Sequence, residues 1–288
     1  MLKQLKNISF SLLQYVLPQH ALSRLMHHMT RCEISWWKNV QIRGVISHYG
    51  VNIDEAKHPD CSAYRSFNHF FTRELKESAR PIERNMNLVL SPADGAVSQA
   101  GTIDGTNMIQ AKNHSYSLSE LLGGDESLAA SFVDGNFTTI YLSPRDYHRL
   151  HMPVQGKLIE MKHIPGRLFS VNTATTEVVS KLFARNERVV AVFETALGKM
   201  VLVLVGAIFV SSIETVWHGV VTPPTSPSIR SWSYGDNSIR LDQGDEMGRF
   251  NMGSTIIALF EPGRIGWSDQ MSAGTAITMG SAIGEKLA

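Results

Sequence analysis

The stretch "VVAVFETALGKMVLVLVGAIFV", residues 189–210, contains two apolar runs separated by a short turn at Ala196–Lys199 that includes a glycine. Both runs are rich in Val, Leu and Phe, which favour β-strands, and a turn of this length joins neighbouring antiparallel strands. Alternating βαβ units, which would favour a parallel sheet, are not evident elsewhere in the chain. The hairpin therefore indicates a largely antiparallel sheet.

The rest of the chain divides into a helical part and a β-rich part. From about residue 84 onward, short β-rich runs such as "FTTIYL" at Phe137–Leu142 are punctuated by Gly, Pro, Asn and Asp. Before that point, "YRSFNHFFTREL" at Tyr64–Leu75 predicts a helix that ends ahead of Pro81, which forces Arg80 toward extended geometry. We expect a helical part of roughly 80 residues followed by one β-rich domain.

Composition excludes several classes of protein. A chain of 288 residues with 43% hydrophobic residues can bury a core of its own. Its formal net charge is only +1, and its Lys and Arg are not gathered in a way that would suggest a nucleic-acid groove, which argues against a nucleic-acid partner. Cys32 and Cys61 lie far apart without a C-x-x-C spacing, which fits a reducing compartment and gives neither a disulfide framework nor a thiolate metal site.

No segment of the sequence is expected to cross a membrane or to be removed as a signal peptide. The longest apolar run, Met200–Val210, has 11 residues, whereas a spanning helix needs roughly 20. Near the start, Lys3 and Lys6 precede an apolar stretch, but Gln14 and Pro18 interrupt it and no small-residue cleavage site follows.

Two amphipathic helices are predicted on either side of Pro18, because apolar residues recur there at helical spacing. Their apolar faces comprise Ile8, Leu12, Tyr15 and Val16 in the first helix and Leu22, Leu25, Met26 and Met29 in the second. Residues 1–50 carry six basic residues and one acidic residue, a local charge of +5 that leaves −4 for the rest. Basic amphipathic helices beside Trp36 and Trp37 match a segment lying in the headgroup region of an anionic membrane. The alternative is that each apolar face packs on the chain's own domain.

Two motifs contain side chains suited to chemistry. "SPADGAVS" contains Asp94 in an Asp-Gly pair, which by itself is typical of a turn whose carboxylate caps its own backbone. "YLSPRDYHRLHMP" contains His148 and His151, which by themselves fit a metal pair or an ordinary polar loop after a strand. His163 and His218 are available as a third metal ligand, but no H-E-x-x-H or similar spacing supports them, so a metal site is not favoured.

A third motif is "RFNMGSTIIALF", Arg249–Phe260, in which Gly253 and Ser254 stand at the start of an apolar strand. The tripeptide MGS is not informative by itself, because a second copy occurs at Met279–Ser281. That copy lies seven residues from the C-terminus, where little chain remains to build a site around it. Only the first copy is followed by Thr255 and a continuous apolar strand.

Together these motifs resemble the bacterial membrane-associated phosphatidylserine decarboxylases, which are pyruvoyl-dependent enzymes made as proenzymes. The resemblance runs from about residue 62 to residue 255 in the family's order: "SAYRSFNHFFTREL", "ARPI", "PADGAVSQ", "YLSPRDYHRLHMP", "PGRLFSVN", "FARNERVV", "VGAIFVSSIETVW" and "GDEMGRFNMGST". So many long blocks together are highly specific. The chain departs from the family at Met252, where members often carry Leu, an apolar exchange outside the reacting bond.

The resemblance implies that the proenzyme cuts its own backbone between Gly253 and Ser254, giving chains of residues 1–253 and 254–288, the second of 35 residues. Ser254 Oγ would attack the carbonyl of Gly253, and the glycine, having no Cβ, would leave room for the strained backbone that this requires. Elimination across Ser254 and loss of ammonia would leave a covalent pyruvoyl group. The serine would become the cofactor, so neither a separately bound cofactor nor a metal is implied.

The same resemblance assigns roles to three further residues. His151 would take the proton of Ser254 Oγ, and Asp94 would orient the imidazole. The pyruvoyl carbonyl would form a Schiff base with the amine of phosphatidylserine and accept the electrons left when CO2 departs. His148 would protonate the carbon, and hydrolysis would release phosphatidylethanolamine.

A fold and a location are implied as well. The resemblance suggests an α+β fold, with N-terminal amphipathic helices over residues 1–83 as a membrane-associating region. A largely antiparallel β-domain of barrel or sandwich character would form the catalytic domain over residues 84–288. The enzyme would be a peripheral membrane protein on the cytoplasmic face of the cell membrane, because its lipid substrate is presented at an anionic bilayer surface. The oligomeric state, including a homodimer, is left open.

Two rival functions remain open at this point. A Ser-His-Asp hydrolase would use Ser254, His151 and Asp94 without self-cleavage, although the G-x-S-x-G elbow of such enzymes is absent here because Ser254 directly follows Gly253. A non-catalytic membrane-bound β-domain would use Asp94 and the histidines only to satisfy turns. The hydrolase predicts one intact chain, and the binding domain predicts that His151→Ala leaves the chain length unchanged.

Overall fold

The fold was analysed in a computed structural model that describes residues 2–82, 84–111, 114–209, 212–223, 226–235 and 239–287. Three long helices begin the chain, and short helices follow between the strands. The α-helices within the described residues are α1 Leu2–Val16, α2 Gln19–Arg31, α3 Ser35–Tyr49, α4 Phe67–Phe71, α5 Leu118–Leu121, α6 Glu126–Ala130, α7 Thr173–Thr176 and α8 Leu182–Arg185. Single 3-10 turns lie at Ile53–Glu55, Cys61–Ala63 and Glu77–Ala79.

Strands begin after this helical region. They are β1 Leu88–Leu90, β2 Gly95–Thr102, β3 Asn107–Ala111, β4 His114–Ser117, β5 Asn136–Leu142, β6 Arg149–His151, β7 Gly156–Ile164, β8 Arg188–Thr195, β9 Gly198–Val205, β10 Ile213–Thr215, β11 Gly219–Thr222, β12 Arg230–Ser233, β13 Arg240–Leu241, β14 Glu246–Phe250, β15 Ser254–Phe260, β16 Ile265–Trp267, β17 Ala276–Ile277 and β18 Ala282–Lys286. Pairing between these strands is antiparallel throughout. The predicted α+β class is therefore confirmed. The division into a membrane-associating region and a catalytic domain stays a prediction.

The largest sheet has the order β12-β7-β8-β9-β15-β5-β2-β17, with β13 beside β7. Its β8 and β9 are the hairpin predicted from residues 189–210, with Thr195 opposite Gly198. Gly198 has a φ of +86°, a conformation that glycine adopts without a steric penalty, so the residue closes the turn. The strand that follows Gly253, β15, lies near the middle of this sheet between β9 and β5.

Both faces of the large sheet are buried, which explains the continuous apolar runs in the sequence. Successive side chains of a strand point to opposite faces. On β15, Ile256, Ala258 and Phe260 therefore pack into one core and Ile257 and Leu259 into another. The first core also contains residues of the smaller sheets β1-β18-β16 and β11-β10-β14-β6, and the second contains residues of the short helices α5 and α8. The described strands thus form stacked open sheets, a sandwich rather than a closed barrel.

The two predicted N-terminal helices are confirmed as α1 and α2, with Pro18 between them. In α1, however, polar side chains are buried and most apolar side chains face outward, whereas in α2 only Leu25 of the predicted apolar face is exposed and Leu22, Met26 and Met29 are half-buried. The buried polar residues are Ser11, Gln14, Gln19, Ser23 and Thr30, and the exposed apolar residues are Ile8, Phe10, Leu12, Leu13, Tyr15, Val16 and Leu25. No helix in the described part of the chain has both the length and the apolar composition needed to cross a bilayer.

The helix predicted over Tyr64–Leu75 is wrong in extent, because only α4, Phe67–Phe71, is helical. It begins where Ser66 Oγ accepts the amide N–H of His69 at 3.2 Å. Beyond it the chain is extended and Leu75 forms a bridge with Ala56. Strand-like pairing with a segment distant in sequence therefore overrides the local helical pattern. Local sequence around residues 64–75 gives no sign of this pairing.

Strand register brings two loops together at the start of β15. Leu142, the last residue of β5, lies opposite Ser254. The loop of residues 143–148 therefore leaves the sheet beside the first residue of β15. It continues into β6, which pairs with β14, and β14 leads through residues 251–253 back to β15.

Candidate active site

Ser254 is the first residue of β15 and is fully buried. Its side chain points to the same face of the sheet as Ile256, two residues on. Its Oγ has no hydrogen-bond partner. A buried hydroxyl without a partner costs about 1–3 kcal/mol, so stability alone does not account for a serine at this position.

The backbone immediately before Ser254 is strained. Met252 has a φ of +115°, a region that a residue with a side chain enters only at a cost of about 1–3 kcal/mol. Gly253 is needed for close approach, because a Cβ there would lie 3.2 Å from Leu142 O and 3.8 Å from His148 Nε2. The sequence placed the backbone strain at Gly253, whereas the strained residue is Met252, one position earlier. Gly253 instead provides space beside Leu142 O and His148 Nε2.

The strained loop is fixed from the side of helix α4. Met252 packs against the cluster of aromatic residues around Phe67 and Phe71. Asn68 Nδ2 donates to Asn251 Oδ1 at 2.8 Å, and Asn251 Nδ2 donates to Ser212 Oγ at 2.7 Å. The unusual backbone is therefore held in place by tertiary contacts on both sides.

His148 is the imidazole beside the Gly253-Ser254 bond. It is fully buried, and its ring centroid lies 4.1 Å from that of Phe71. Nδ1 lies 2.8 Å from Asp146 O, and a carbonyl only accepts, so Nδ1 carries the proton. Burial lowers the pKa of His148 to about 3, so the ring is neutral near pH 7. Its Nε2 is therefore an acceptor, and it has no hydrogen-bond partner.

His151 lies at the end of β6, and both of its ring nitrogens have partners. Nδ1 donates to Gly244 O at 2.8 Å, and Nε2 accepts from Tyr147 O–H at 3.1 Å. Burial lowers the pKa of His151, and the nearby charges of Glu246 and Asp94 oppose that effect. The backbone N–H of His151 donates to Pro92 O at 2.8 Å, which ties β6 to the loop that carries Asp94.

Asp94 is buried, and its carboxylate accepts hydrogen bonds from three N–H groups. Oδ1 accepts from Arg80 Nε at 2.9 Å and from the backbone N–H of Met279 at 2.8 Å, and Oδ2 accepts from Arg80 Nη2 at 2.5 Å. Hydrogen bonding to Asp94 raises the pKa of Arg80, whose guanidinium also binds Glu55 at 2.9 Å. The interpretation of Asp94 as a turn residue that caps its own backbone is therefore wrong.

The second MGS copy also belongs to this region. The expectation that it lies too near the C-terminus to contribute is wrong, because the amide of Met279 binds the Asp94 carboxylate across 185 positions in sequence. Arg80, Tyr147 and Met279 were not identified as site residues from the sequence. Arg80 and Tyr147 do stand inside the quoted blocks "ARPI" and "YLSPRDYHRLHMP", which was the available signal.

The four predicted site residues lie around one region, but among the described residues no direct hydrogen bond joins any two of them. Ser254 and His148 flank Gly253, and each presents an unpartnered buried atom. His151 and Asp94 are connected through the Pro92 segment and bind other groups. The roles assigned to them from the sequence stay predictions.

This arrangement can be compared with known proteins. The sequence model of the family described as phosphatidylserine decarboxylase matches residues 67–285, and a second model, described as PSD, matches residues 9–50. The chain belongs to the phosphatidylserine decarboxylase family. The resemblance seen in the sequence blocks is thus confirmed over most of the chain.

Members of the phosphatidylserine decarboxylase family match the chain over nearly its whole length. A phosphatidylserine decarboxylase proenzyme of Methylococcus capsulatus is 52% identical over 275 residues, which cover 96% of this chain and 96% of the relative. The Pseudomonas fluorescens proenzyme is 51% identical and covers 97% of this chain and 98% of the relative. The Aliivibrio fischeri proenzyme is 51% identical, and the match covers 93% of this chain and 95% of the relative.

The other histidines considered as metal ligands lie in separate contacts of this decarboxylase-family fold. His163 Nε2 lies 2.8 Å from Glu187 Oε1, and the ring of His218 lies 4.7 Å from that of Trp232. In the part of the chain that the structure describes, no three His, Cys, Asp or Glu side chains are grouped as metal ligands.

Burial of His148 is expected to make the stability of the uncut chain fall at acid pH. The pKa of His148 is about 3 in the folded protein against 6.5 for an ordinary histidine, so between these values the unfolded chain binds a proton that the folded chain does not. At about 1.36 kcal/mol per pH unit, this group removes about 2 kcal/mol of unfolding free energy between pH 6.5 and pH 5.

Denaturant unfolding of the Ser254→Ala protein at pH 7 and pH 5, with and without His148→Gln, measures this effect. The His148→Gln protein should lose about 2 kcal/mol less than its parent over that range. His151 titrates in the same direction and is present in both proteins, so it cancels in the difference. Equal losses would show that the His148 imidazole is not desolvated.

Proposed function

We propose that this chain is a proenzyme that cuts itself between Gly253 and Ser254 and then decarboxylates phosphatidylserine to phosphatidylethanolamine with a pyruvoyl group. The observation that carries the proposal is the environment of that bond: a strained residue before it, a buried hydroxyl without a partner after it and an unpartnered imidazole nitrogen beside it. Membership of the family supports the substrate and the processing, since its relatives are named phosphatidylserine decarboxylase proenzymes.

Self-cleavage begins with attack of Ser254 Oγ on the carbonyl carbon of Gly253. The amide nitrogen of residue 254 becomes a free amine and an ester to Oγ forms, while His151, whose ring is oriented by Gly244 O, accepts the hydroxyl proton. Asp94 supports His151 only indirectly, through the Pro92 segment that binds the His151 backbone. The Cα proton of residue 254 then leaves, the Cβ–Oγ bond breaks and Gly253 departs as a carboxylate that keeps Oγ. One water hydrolyses the remaining dehydroalanine to pyruvoyl and releases ammonia.

The surroundings of Ser254 fit the formation of this group. Residue 254 lies at the start of a central strand, so the new chain end stays paired with Leu142 after the cut. The pyruvoyl carbonyl supplies the electron sink that decarboxylation of an amino acid needs. His148 remains next to residue 254 and moves the proton that the product carbon requires. The hydrophobic surroundings limit the access of bulk water.

A hydrolase is not favoured by the contacts of the acidic residue. In such enzymes the carboxylate orients the histidine by a direct hydrogen bond, whereas Asp94 is bound by Arg80 and Met279. Intact mass of the purified protein under denaturing conditions separates the two functions. The proposal expects two chains, residues 1–253 and 254–288, in a preparation that forms phosphatidylethanolamine. An active preparation with one whole chain would contradict it.

We further propose that helices α1 and α2 hold the enzyme on the cytoplasmic face of an anionic membrane. Their polar side chains bind the β-rich part: Gln14 Oε1 accepts from the amide of Ser170 at 2.7 Å, and Gln19 Oε1 accepts from that of Leu168 at 2.9 Å. The apolar side chains are left outward as a large exposed patch, which is typical of a membrane or protein contact. Free cysteines are compatible with the reducing cytoplasmic side.

Replacement of Leu12 and Leu13 together by glutamine should weaken binding to anionic lipid vesicles about tenfold or more. The two side chains are 59% and 55% exposed, and transfer of a leucine side chain out of water contributes about 1.5–3 kcal/mol when complete. Co-sedimentation with vesicles that contain phosphatidylglycerol measures the change. Ile109→Gln is the matched control, because Ile109 is 54% exposed and belongs to strand β3 rather than to α1 or α2. Equal loss in both variants, or loss in neither, would refute the assigned face.

A further inference from the structure

Arg73 is a buried cation for which the described residues supply no ion pair. It is only 4% exposed, and its Nε and Nη1 have no hydrogen-bond partner. Its Nη2 donates to Arg145 O at 3.2 Å, and the guanidinium lies 5.4 Å from the ring centroid of Phe70. A desolvated charge is costly unless it is paired, so the fold keeps a cation here at the expense of stability.

The carboxylates around Arg73 are all engaged elsewhere. Arg73 lines a cavity of about 140 Å³ together with Glu55, Asp94 and Asp146. Glu55 and Asp94 both bind Arg80, and Asp146 Oδ2 accepts from the amide and the hydroxyl of Ser143 at 2.6 and 2.7 Å. Arg145 also lines the cavity, but its side chain is exposed and lies 3.7 Å from Asp146 Oδ1. Arg73 is therefore the buried guanidinium at this cavity with donors left for another acceptor.

Arg73 is connected by two series of contacts to His148, the imidazole beside the reacting bond. Arg73 follows Phe71 by two residues, and the Phe71 ring contacts His148, the imidazole beside Gly253. On the other side, Arg73 binds the carbonyl of Arg145, and the next carbonyl, that of Asp146, holds His148 Nδ1. The charge of Arg73 also contributes to the low pKa of His148. The guanidinium and the imidazole are thus held by consecutive peptide groups.

A larger cleft of about 910 Å³ shares Arg80 and Tyr147 with this cavity. Besides Arg80, the cleft is lined by the basic residues Lys57, Lys76 and Arg84 and by the acidic residues Glu74 and Glu77, and Lys57 is paired with Glu74 at 2.6 Å. The remaining excess of basic side chains favours anionic ligands. The inner cavity is too small for an acyl chain but suits a single charged group.

We propose that Arg73 binds an oxyanion of the phosphoserine headgroup and so places the substrate's amine at residue 254, an inference that rests on the proposed function. The headgroup carries two such groups, a carboxylate and a phosphodiester. The oxygens of either group can accept from the unpartnered Nε–H or Nη1–H of Arg73, two donors that lie on different edges of the guanidinium. Binding of the anion gives the buried Arg73 guanidinium a partner of opposite charge. The site therefore favours a substrate with an anionic headgroup.

The test compares wild type with Arg73→Gln and Arg73→Lys, each first checked for self-cleavage by denaturing mass. Both variants should be cut, because Arg73 does not act in the cleavage step. KM for a short-chain phosphatidylserine should rise about tenfold in Arg73→Lys, which keeps the charge but loses the fixed, planar arrangement of N–H donors. The rise should be larger in Arg73→Gln, with a smaller change in kcat. Arg264→Gln, an exposed arginine beside Glu261, should behave as wild type.

Two soluble headgroups identify the bound oxyanion. Glycerophosphoserine carries both groups, and glycerophosphoethanolamine carries the phosphodiester alone. If inhibition by both weakens in Arg73→Lys, the guanidinium binds the phosphodiester; if only inhibition by glycerophosphoserine weakens, it binds the carboxylate. If neither changes and KM stays at the wild-type value, the proposal is overturned.

If Arg73→Gln does not fold, a second measurement needs only the charge-conserving Arg73→Lys change. The full-length Ser254→Ala protein, which keeps Arg73, should gain thermal stability from glycerophosphoserine, and the Ser254→Ala/Arg73→Lys protein should gain less. An equal gain in both would overturn the proposal. A wild-type protein that stays uncut or forms no phosphatidylethanolamine would refute the proposed function instead, so the two failures are distinguished.

Discussion

Ser254→Ala is expected to leave the chain whole at 32.0 kDa and to abolish formation of phosphatidylethanolamine. Without Oγ there is no nucleophile to attack the carbonyl of Gly253, and without cleavage no pyruvoyl carbonyl exists to accept electrons. The fold should tolerate the change, because the hydroxyl is buried without a hydrogen-bond partner. Removing it leaves no donor or acceptor unsatisfied, so unfolding free energy should stay the same or rise slightly.

Denaturing mass spectrometry and a lipid assay measure this result, and the chain contains its own control. Ser281 stands in the second MGS copy, where its Oγ donates to Thr278 O at 2.7 Å. Ser281→Ala should be cut between residues 253 and 254 and should be active. Cleavage or lipid decarboxylation in Ser254→Ala would remove the basis of the self-processing mechanism.

His151→Ala is expected to stay uncut, whereas His148→Ala is expected to be cut and to decarboxylate about 100- to 10,000-fold more slowly, the usual contribution of a general acid or base. The first result follows if His151 accepts the Ser254 proton. The second follows if His148 moves the proton at the product carbon. Time courses of cleavage by denaturing mass, followed by single-turnover assays of the cut protein, measure the two steps separately.

The contacts of the two imidazoles make the opposite outcome informative. His148 Nε2 is the unpartnered acceptor near Gly253, and His151 Nε2 is occupied by Tyr147 O–H. An uncut His148→Ala together with a cut His151→Ala would therefore make His148 the base for cleavage. His58→Ala, at an exposed position, is the control and should be cut and active. If both site variants process and turn over normally, neither histidine acts as proposed.

Regular local patterns were enough to predict several elements. The paired apolar runs gave the β8–β9 hairpin, Pro18 separated α1 from α2, and the order of sequence blocks indicated the family and the Gly253-Ser254 bond. Each of these depends on residues that are neighbours in sequence or on a long series of matched blocks. Helix α3 was not predicted, since its apolar residues are divided between an exposed side with Trp36 and a buried side with Ile42.

Tertiary contacts alone decided which side of a helix is buried and which partner each site residue takes. The periodicity of α1 defined an apolar face, but the hydrogen bonds of Gln14 and Gln19 to the β-rich part turned that face outward. Likewise the motif around Asp94 contains no sign of Met279, which lies 185 residues away. Local sequence shows only how residues are spaced along the chain. Burial and hydrogen-bond pairing depend on residues distant in sequence, which come into contact only when the strands align in register. The charge of Arg73 was visible in the sequence, but only the fold showed that it is buried and that the described residues supply no ion pair for it.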